Sequence, residues 1–287
     1  MIPAGAAAEK NIKNVTTQIK MKISAWVFAT DLLPNKKTFT ERLTNKGNLF
    51  DKTSTKEVFA KLKASDVDGI ELLIPANFSD EDFQRIKKIL DENNVIVNSI
   101  HQPLRLITKT DVKEIEMLFS VAKKFKAKLI VLHLYNAKGQ ISSKSYLDAL
   151  HKLQADYGIK ISFENTQKFA QVFNQKRYWD SKTFSDVVKS AGFTITLDTT
   201  HLADAGGDMI EFYNQNKNNI VNIQLSDYKT KWPKPCLHLQ PGKGTLPMDE
   251  FLRVLKDNKY DGFITMEIKT DLEGLCESAK FIRQGLS

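Results

Sequence analysis

The chain has 287 residues, 41% of them hydrophobic, and a formal charge of +8. That length suits one parallel α/β barrel of about 250 residues with an extension, and no run of roughly eighteen apolar residues is present to cross a membrane. Two cysteines, Cys236 and Cys276, are too few for a disulfide framework and suit a reducing, cytoplasmic setting. The excess of lysine falls mainly on helix-period stretches such as 84–89 and 121–128, where it solvates an exterior face.

In chain order, residues 1–20 come first. Lys10, Lys13 and Lys20 break up what would have to be the apolar centre of a secretory signal, so these residues read as a loose extension and residues 21–287 as one domain. Short β-branched, apolar runs then alternate with helix-period stretches. The predicted strands are 22–28, 68–74, 95–101, 128–134, 159–164, 193–198, 220–225 and 262–268. The predicted helices are 57–65, 80–93, 111–126, 143–157, 181–190, 209–216, 247–258 and 271–284. The longest connection falls between the first strand and first helix. Gly69, Gly158, Gly192 and Gly262 each precede a strand, where a helix C-cap is expected. Eight alternations with no linker-like segment predict a single-domain (β/α)8 TIM barrel, class α/β.

The polar residues of these strands are not scattered. Glu71, His101, His133, Glu164, Asp198, Gln224 and Glu267 sit at or near strand C-termini, which in a parallel barrel converge on one face. Taken singly, each acid could cap a helix or pair with a cation, and each histidine could be a hydrogen-bonded core residue. Three acids at one mouth, however, raise one another's pKa unless a cation neutralises them. His and carboxylate donors together suit a divalent metal. A second feature is the stretch Lys229–Lys243, where Lys229, Lys231, Lys234 and Lys243 share a loop with Trp232 and could attract phosphate. Within it, Pro241-Gly242-Lys243-Gly244 is either a phosphate cradle or simply a turn. Trp179 and Trp232 could stack on a sugar or a base, or anchor packing.

The ordered set Gly69-Ile70-Glu71, Ile100-His101, His133, Phe163-Glu164-Asn165, Leu197-Asp198-Thr199-Thr200-His201, Gln224-Leu225-Ser226-Asp227, Pro241-Gly242-Lys243-Gly244 and Tyr260 through Glu267 resembles the xylose isomerase-like barrel superfamily. That group holds sugar isomerases, ketose epimerases and endonuclease IV. In its epimerase-like members the resemblance implies one metal held by Glu164, Asp198, Gln224 and Glu267. Gln224 stands where a His is usual, and its hard amide oxygen moves the preference from Zn2+ toward Mn2+ or Mg2+. In its endonuclease-like members the resemblance implies a three-metal cluster. His101, His133 and Glu164 match one site, and Glu164, Asp198 and Glu267 match a second that lacks its His. His201 and His238 match the third, with Cys236 in place of its acid.

The expected function is a metal-dependent isomerase or epimerase of a small sugar, polyol or sugar phosphate. The metal would grip the carbonyl and adjacent hydroxyl and lower the cost of an enediolate. Glu164 and Glu267 would exchange a carbon-bound proton, and His201 would hydrogen-bond a substrate oxygen. Glu71, Lys243 and Trp232 are the candidate substrate contacts. The alternatives are a metal-dependent phosphodiesterase acting on abasic DNA, the only reading with a nucleic-acid partner, and a barrel that binds a ligand without catalysis.

Overall fold

The computed structural model describes residues 21–33, 49–50, 53–75, 78–103, 111–134, 143–167, 180–231 and 235–287. Eight parallel strands close into a barrel. They are β1 (Lys22–Phe28), β2 (Gly69–Leu73), β3 (Val97–His101), β4 (Leu129–His133), β5 (Lys160–Glu164), β6 (Thr194–Asp198), β7 (Ile220–Gln224) and, after a two-stranded excursion, β10 (Phe263–Met266). Each pairs with its chain neighbours, and β1 closes the ring against β10. The helices are α1 (Thr55–Ala64), α2 (Asp80–Glu92), α3 (Val112–Phe125), α4 (Lys144–Tyr157), α5 (Ser181–Ser190), α6 (Thr199–Asp204), α7 (Met209–Asn216), α8 (Met248–Asp257) and α9 (Leu272–Leu286). None of the described helices is long and apolar enough to cross a membrane.

The eight strands and eight longer helices fall where the apolar periodicity predicts them. Two elements do not. The six-residue α6 follows β6 directly, and an antiparallel hairpin, β8 (Asp227–Lys229) with β9 (Cys236–Leu239), occupies part of what reads as loop. The connection after β1 begins with a 3-10 turn, Ala29–Asp31; its residues 34–48 and 51–52, the extension at 1–20, Trp179, Trp232 and Lys234 lie outside the described residues.

Strand alternation sorts the side chains into two shells. Ile70 and Leu72, Ile130 and Leu132, Ile161 and Phe163, and Ile195 and Leu197 belong to one continuous buried cluster with Phe119, Phe184, Phe251 and Leu255 of the helices. Many of the intervening positions are polar, among them Glu71, His133, Ser162, Glu164, Thr196 and Asp198, although Leu73, Leu129 and Val131 are apolar. Glu71 on β2 bonds Asn222 and Gln224 on β7, and His101 on β3 reaches Glu164 on β5. Strands that are not neighbours in the ring can meet this way only across its interior. Barrels usually fill that space with branched apolar side chains; this one fills it with hydrogen bonds.

At the opposite face, Arg283 of α9 ties the last helix to the start of the barrel. Its guanidinium donates to the Met21 carbonyl at 2.6 Å and the Asp66 carbonyl at 2.8 Å. It also pairs with the Asp68 carboxylate, which accepts from Ile23 N.

The four glycines at strand entries, of which Gly69 is the first residue of β2, divide into two kinds. Gly158 and Gly192 are left-handed, with φ of 65° and 75°, as C-terminal caps require. Before β2 and β10 the left-handed residues are instead Asp66 and Lys259. Gly69 and Gly262 are there because a Cβ would sit 2.6 Å from the carbonyl oxygens of Ile96 and Val221 respectively. Gly158→Ala should therefore cost about 1 kcal/mol of left-handed strain, whereas Gly262→Ala, which must displace backbone, should cost about 3 kcal/mol. Urea unfolding of the two variants checks the order; equal losses would contradict it.

Candidate metal centre

The site is assembled from strand ends and the turns that follow them. Asn165, just past β5, bonds the Asp198 backbone on both sides, its Nδ2 donating to the carbonyl at 2.9 Å and its Oδ1 accepting from the amide at 2.8 Å. Asp198 then caps α6, with Oδ1 accepting from Thr200 N and His201 N at 2.8 Å each. The helix-capping reading of this acid is thus correct for one of its oxygens. The other, Oδ2, is buried with no hydrogen-bond partner among the described residues. So are Gln224 Oε1 and Glu267 Oε2. Asp198 Oδ2 has an ion-pair contact with His201 Nδ1 at 3.5 Å, but none of these three acceptors, on β6, β7 and at the end of β10, has a hydrogen bond among the described residues, and a cation would satisfy them.

Glu164 is surrounded differently. His101 Nε2 lies 3.0 Å from its Oε2, while His133 Nε2 and His201 Nδ1 lie 3.4 and 2.9 Å from Oε1. His101 Nδ1 faces the Gln102 carbonyl at 2.8 Å and so must carry a proton. Its Nε2 is left to hold a second proton or a cation, the arrangement common in metal-ligating histidines. His238 arrives on the β8–β9 hairpin in a left-handed conformation, with Nδ1 3.8 Å from Glu267 Oε1 and its ring edge-on to His201. Two groups offer ligand atoms within 4.8 Å of one another, His101 with His133 and Glu164, and Asp198 with His201 and His238. Cys236 is in neither group.

The electrostatics show the strain of so many buried acids. Burial pushes the Glu164 carboxyl up, but the charge of His133 and hydrogen bonds from His101, His133 and His201 outweigh it and hold the group well below the usual range. Burial, reinforced by the charges of Asp198 and Glu164, pushes Glu267 well above its ordinary value. Asp198 is raised, chiefly by burial. Burial resists the charging of His101 and His201, yet nearby carboxylates overcome it and lift them to about 9 and about 10. His133 and His238 are lowered, foremost by burial. A divalent cation is the group such a donor set fits: four oxygen-bearing side chains, three of them acidic, with neutral imidazoles beside them.

The xylose isomerase-like TIM barrel family matches residues 59–285. The chain belongs to this family. An uncharacterized protein of Mycobacterium leprae is 23% identical over 229 residues, 71% of this chain and 80% of that protein. Two solved structures are similar in fold. The 3-keto-D-glucoside 4-epimerase of E. coli, in its apo form, superposes with a TM-score of 0.64 at 15% identity, covering 92% of this chain and 100% of that one. A xylose isomerase-like TIM barrel protein of Mycobacterium smegmatis, in complex with magnesium, superposes with a TM-score of 0.59 at 14% identity, covering 93% and 96%.

Among the residues expected at the family's site, Glu164, Asp198, Gln224, Glu267, His101, His133, His201 and His238 converge. Glu71, two residues before the end of β2, lies deeper and is fully buried, with its carboxylate accepting from Ser99, Asn222 and Gln224. Lys243 is exposed on the turn after the hairpin. That turn's amides are already engaged: Gly242 N and Gly244 N donate to Asp227 Oδ2 at 2.9 and 2.8 Å, and Leu246 N donates to Oδ1 at 3.0 Å. A Cβ at Gly244 would collide with the Asp227 carboxylate. The protein's own acid fills what reads in sequence as a phosphate cradle. Trp26, not singled out by sequence, lies edge-on to His101 with ring centroids 6.2 Å apart, and its Nε1 has no hydrogen-bond partner among the described residues. Its signal was its place on the lumen-facing period of β1, two residues after Ser24.

A pH dependence follows. Glu267 is raised above its ordinary 4.5, so its contribution to stability is intact below that pH and is lost as pH rises toward the folded-state value. His101 and His201, raised above 6.5, add a loss in the same direction at higher pH. In chelator, stability should fall above neutrality, with each group adding a slope approaching 1.4 kcal/mol per pH unit. Excess Mn2+ should flatten this slope, and Glu267→Gln should reduce it. Urea unfolding across pH is the measurement; a metal-free protein that gains stability with rising pH would contradict it.

Proposed function

We propose that the protein is a divalent-metal-dependent isomerase or epimerase of a small unphosphorylated sugar. The observation that carries the reading is the trio of buried oxygens with no hydrogen bond among the described residues, Asp198 Oδ2, Gln224 Oε1 and Glu267 Oε2, beside an ionised Glu164. A cation held by these four side chains would polarise a substrate carbonyl and acidify the neighbouring C–H. Glu164 and Glu267 stand three strands apart in a ring of eight, so they flank the lumen from different sides. In the metal-free protein their environments push their pKa values apart. In the loaded protein Glu164 takes the carbon-bound proton and Glu267 returns one from the other side. His201, charged up to about pH 10, donates to a substrate oxygen.

Similarity to an epimerase of a keto sugar supports the substrate class. The occupied amides at Asp227 favour a free sugar over a sugar phosphate, since no backbone cradle is left in that turn for the anion. The test is incubation of the Mn2+-loaded protein with ketohexoses, ketopentoses and keto-glycosides in D2O. Deuterium should enter the carbon next to the carbonyl, detected by NMR. Glu164→Gln and Glu267→Gln should each lower that rate about 10²- to 10⁴-fold. Absence of exchange across the panel would overturn the reading.

A second reading, a phosphodiesterase acting on abasic DNA, is favoured by the two ligand groups centred on Glu164 and Asp198, which exceed what a single-metal epimerase needs. Lys229, Lys231 and Lys243 are exposed and would face the backbone phosphates. Elemental analysis separates the two. About one equivalent of Mn or Mg, with no nicking of abasic duplex, is expected; two or three of Zn, with metal-dependent nicking, would promote the nuclease.

A further inference from the structure

We infer that Glu71 is a positioning residue that sets which end of the Gln224 carboxamide meets the cation, and so sets the metal preference of the site. The inference rests on the cation reading above and deepens it. The two ends of a glutamine amide are nearly equal in size, so only hydrogen bonding decides their order. Gln224 Nε2 donates to Glu71 Oε1 at 2.8 Å, and a carboxylate accepts but does not donate. The amide nitrogen is therefore turned toward Glu71 and Oε1 away from it, where it has no hydrogen-bond partner among the described residues. It stands in register beside Asp198.

The rest of the network leaves no slack. Glu71 Oε2 accepts from Ser99 Oγ at 2.7 Å and Asn222 Nδ2 at 3.0 Å, and Asn222 is itself held because its Oδ1 accepts from Thr265 Oγ1 at 3.1 Å. A neutral glutamine at position 71 could accept some of these bonds, but it could also donate, and would no longer dictate the orientation of residue 224. A charge buried at the centre of a barrel is expensive to keep. What it secures is an amide oxygen turned away from Glu71: neutral, hard, and suited to Mg2+ or Mn2+ over Zn2+.

The test is Mn2+ affinity of the full chain, by calorimetry and by the EPR signal of free Mn2+, with metal-free thermal stability measured in parallel. Glu71→Gln should weaken Mn2+ binding roughly 10- to 100-fold, the range for partners that orient a ligand, and should narrow the preference for Mn2+ over Zn2+. Gln224→Ala should weaken it comparably. The double variant Glu71→Gln/Gln224→Ala should bind no more weakly than Gln224→Ala alone, because Glu71 acts only through Gln224. A purely structural role would instead lower affinity additively, along with stability. The exchanged pair Glu71→Gln/Gln224→Glu keeps the net charge and the internal hydrogen bond, so it guards against misfolding of Glu71→Gln. It should bind Mn2+ at least as tightly as the wild type. Unchanged affinity in Glu71→Gln, additive losses in the double variant, or weak binding by the exchanged pair would each overturn the inference. Failure of the wild type to bind Mn2+, Mg2+ or Zn2+ would overturn the cation reading first, and this inference with it.

Discussion

Four acids, Glu71, Glu164, Asp198 and Glu267, share one barrel interior, and three of them are essentially without contact with solvent. Negative charge at that density cannot persist in a low-dielectric space without positive charge or protons to match it. Without a cation the protein meets the constraint with protons: on Glu267, whose carboxyl is driven up, and on His101 and His201, which stay charged well past neutrality. A divalent ion would do the same work with fewer groups, displacing protons as it binds. The polar lining of the lumen and the histidine ring around Glu164 both answer this one requirement.

Because the lumen is given over to polar contacts, cohesion has to come from elsewhere. It comes from the outer shell, where the alternate residues of most strands are Ile, Leu, Val or Phe that form one buried cluster with the helices. The face opposite the site is closed by Arg283, joining the last helix to the entries of β1 and β2. Stability at one end and chemistry at the other is the usual division of labour in this architecture. Here it extends to the inner and outer faces of each strand.

The fold was legible in the sequence because strands buried between a lumen and a ring of helices leave short β-branched runs, and the helices between them carry a clear period. Convergence of six of the seven strand-end residues followed from topology alone, Glu71 being the exception. The hairpin that delivers His238 was hidden because its strands, Asp227–Lys229 and Cys236–Leu239, have only three and four residues, too few to show a period. The α6 helix was hidden because six residues are fewer than two turns. Gly69 and Gly262 were misread as caps because sequence shows that a glycine is needed, not whether backbone angle or a neighbouring carbonyl is the reason. The depth of Glu71 was foreshadowed by its place in the middle of the strand predicted at 68–74, but its partners Asn222 and Gln224, from β7 across the lumen, were out of reach because no local pattern shows which strands meet there.

Gln224 shows how a departure from a family pattern can be absorbed rather than simply lost. An imidazole at that position would present a ring nitrogen as a donor to metal. An amide has a wrong end as well as a right one, so the exchange is tolerable only if a neighbour enforces the choice. Glu71 does so from across the lumen, and Asn222, itself held by Thr265, holds Glu71 in turn. The same logic governs Asp227, whose carboxylate occupies the amides of the glycine turn and converts a potential anion site into a strut for the hairpin that carries His238. In both places a buried carboxylate decides, by accepting hydrogen bonds, which polar group remains available at the mouth.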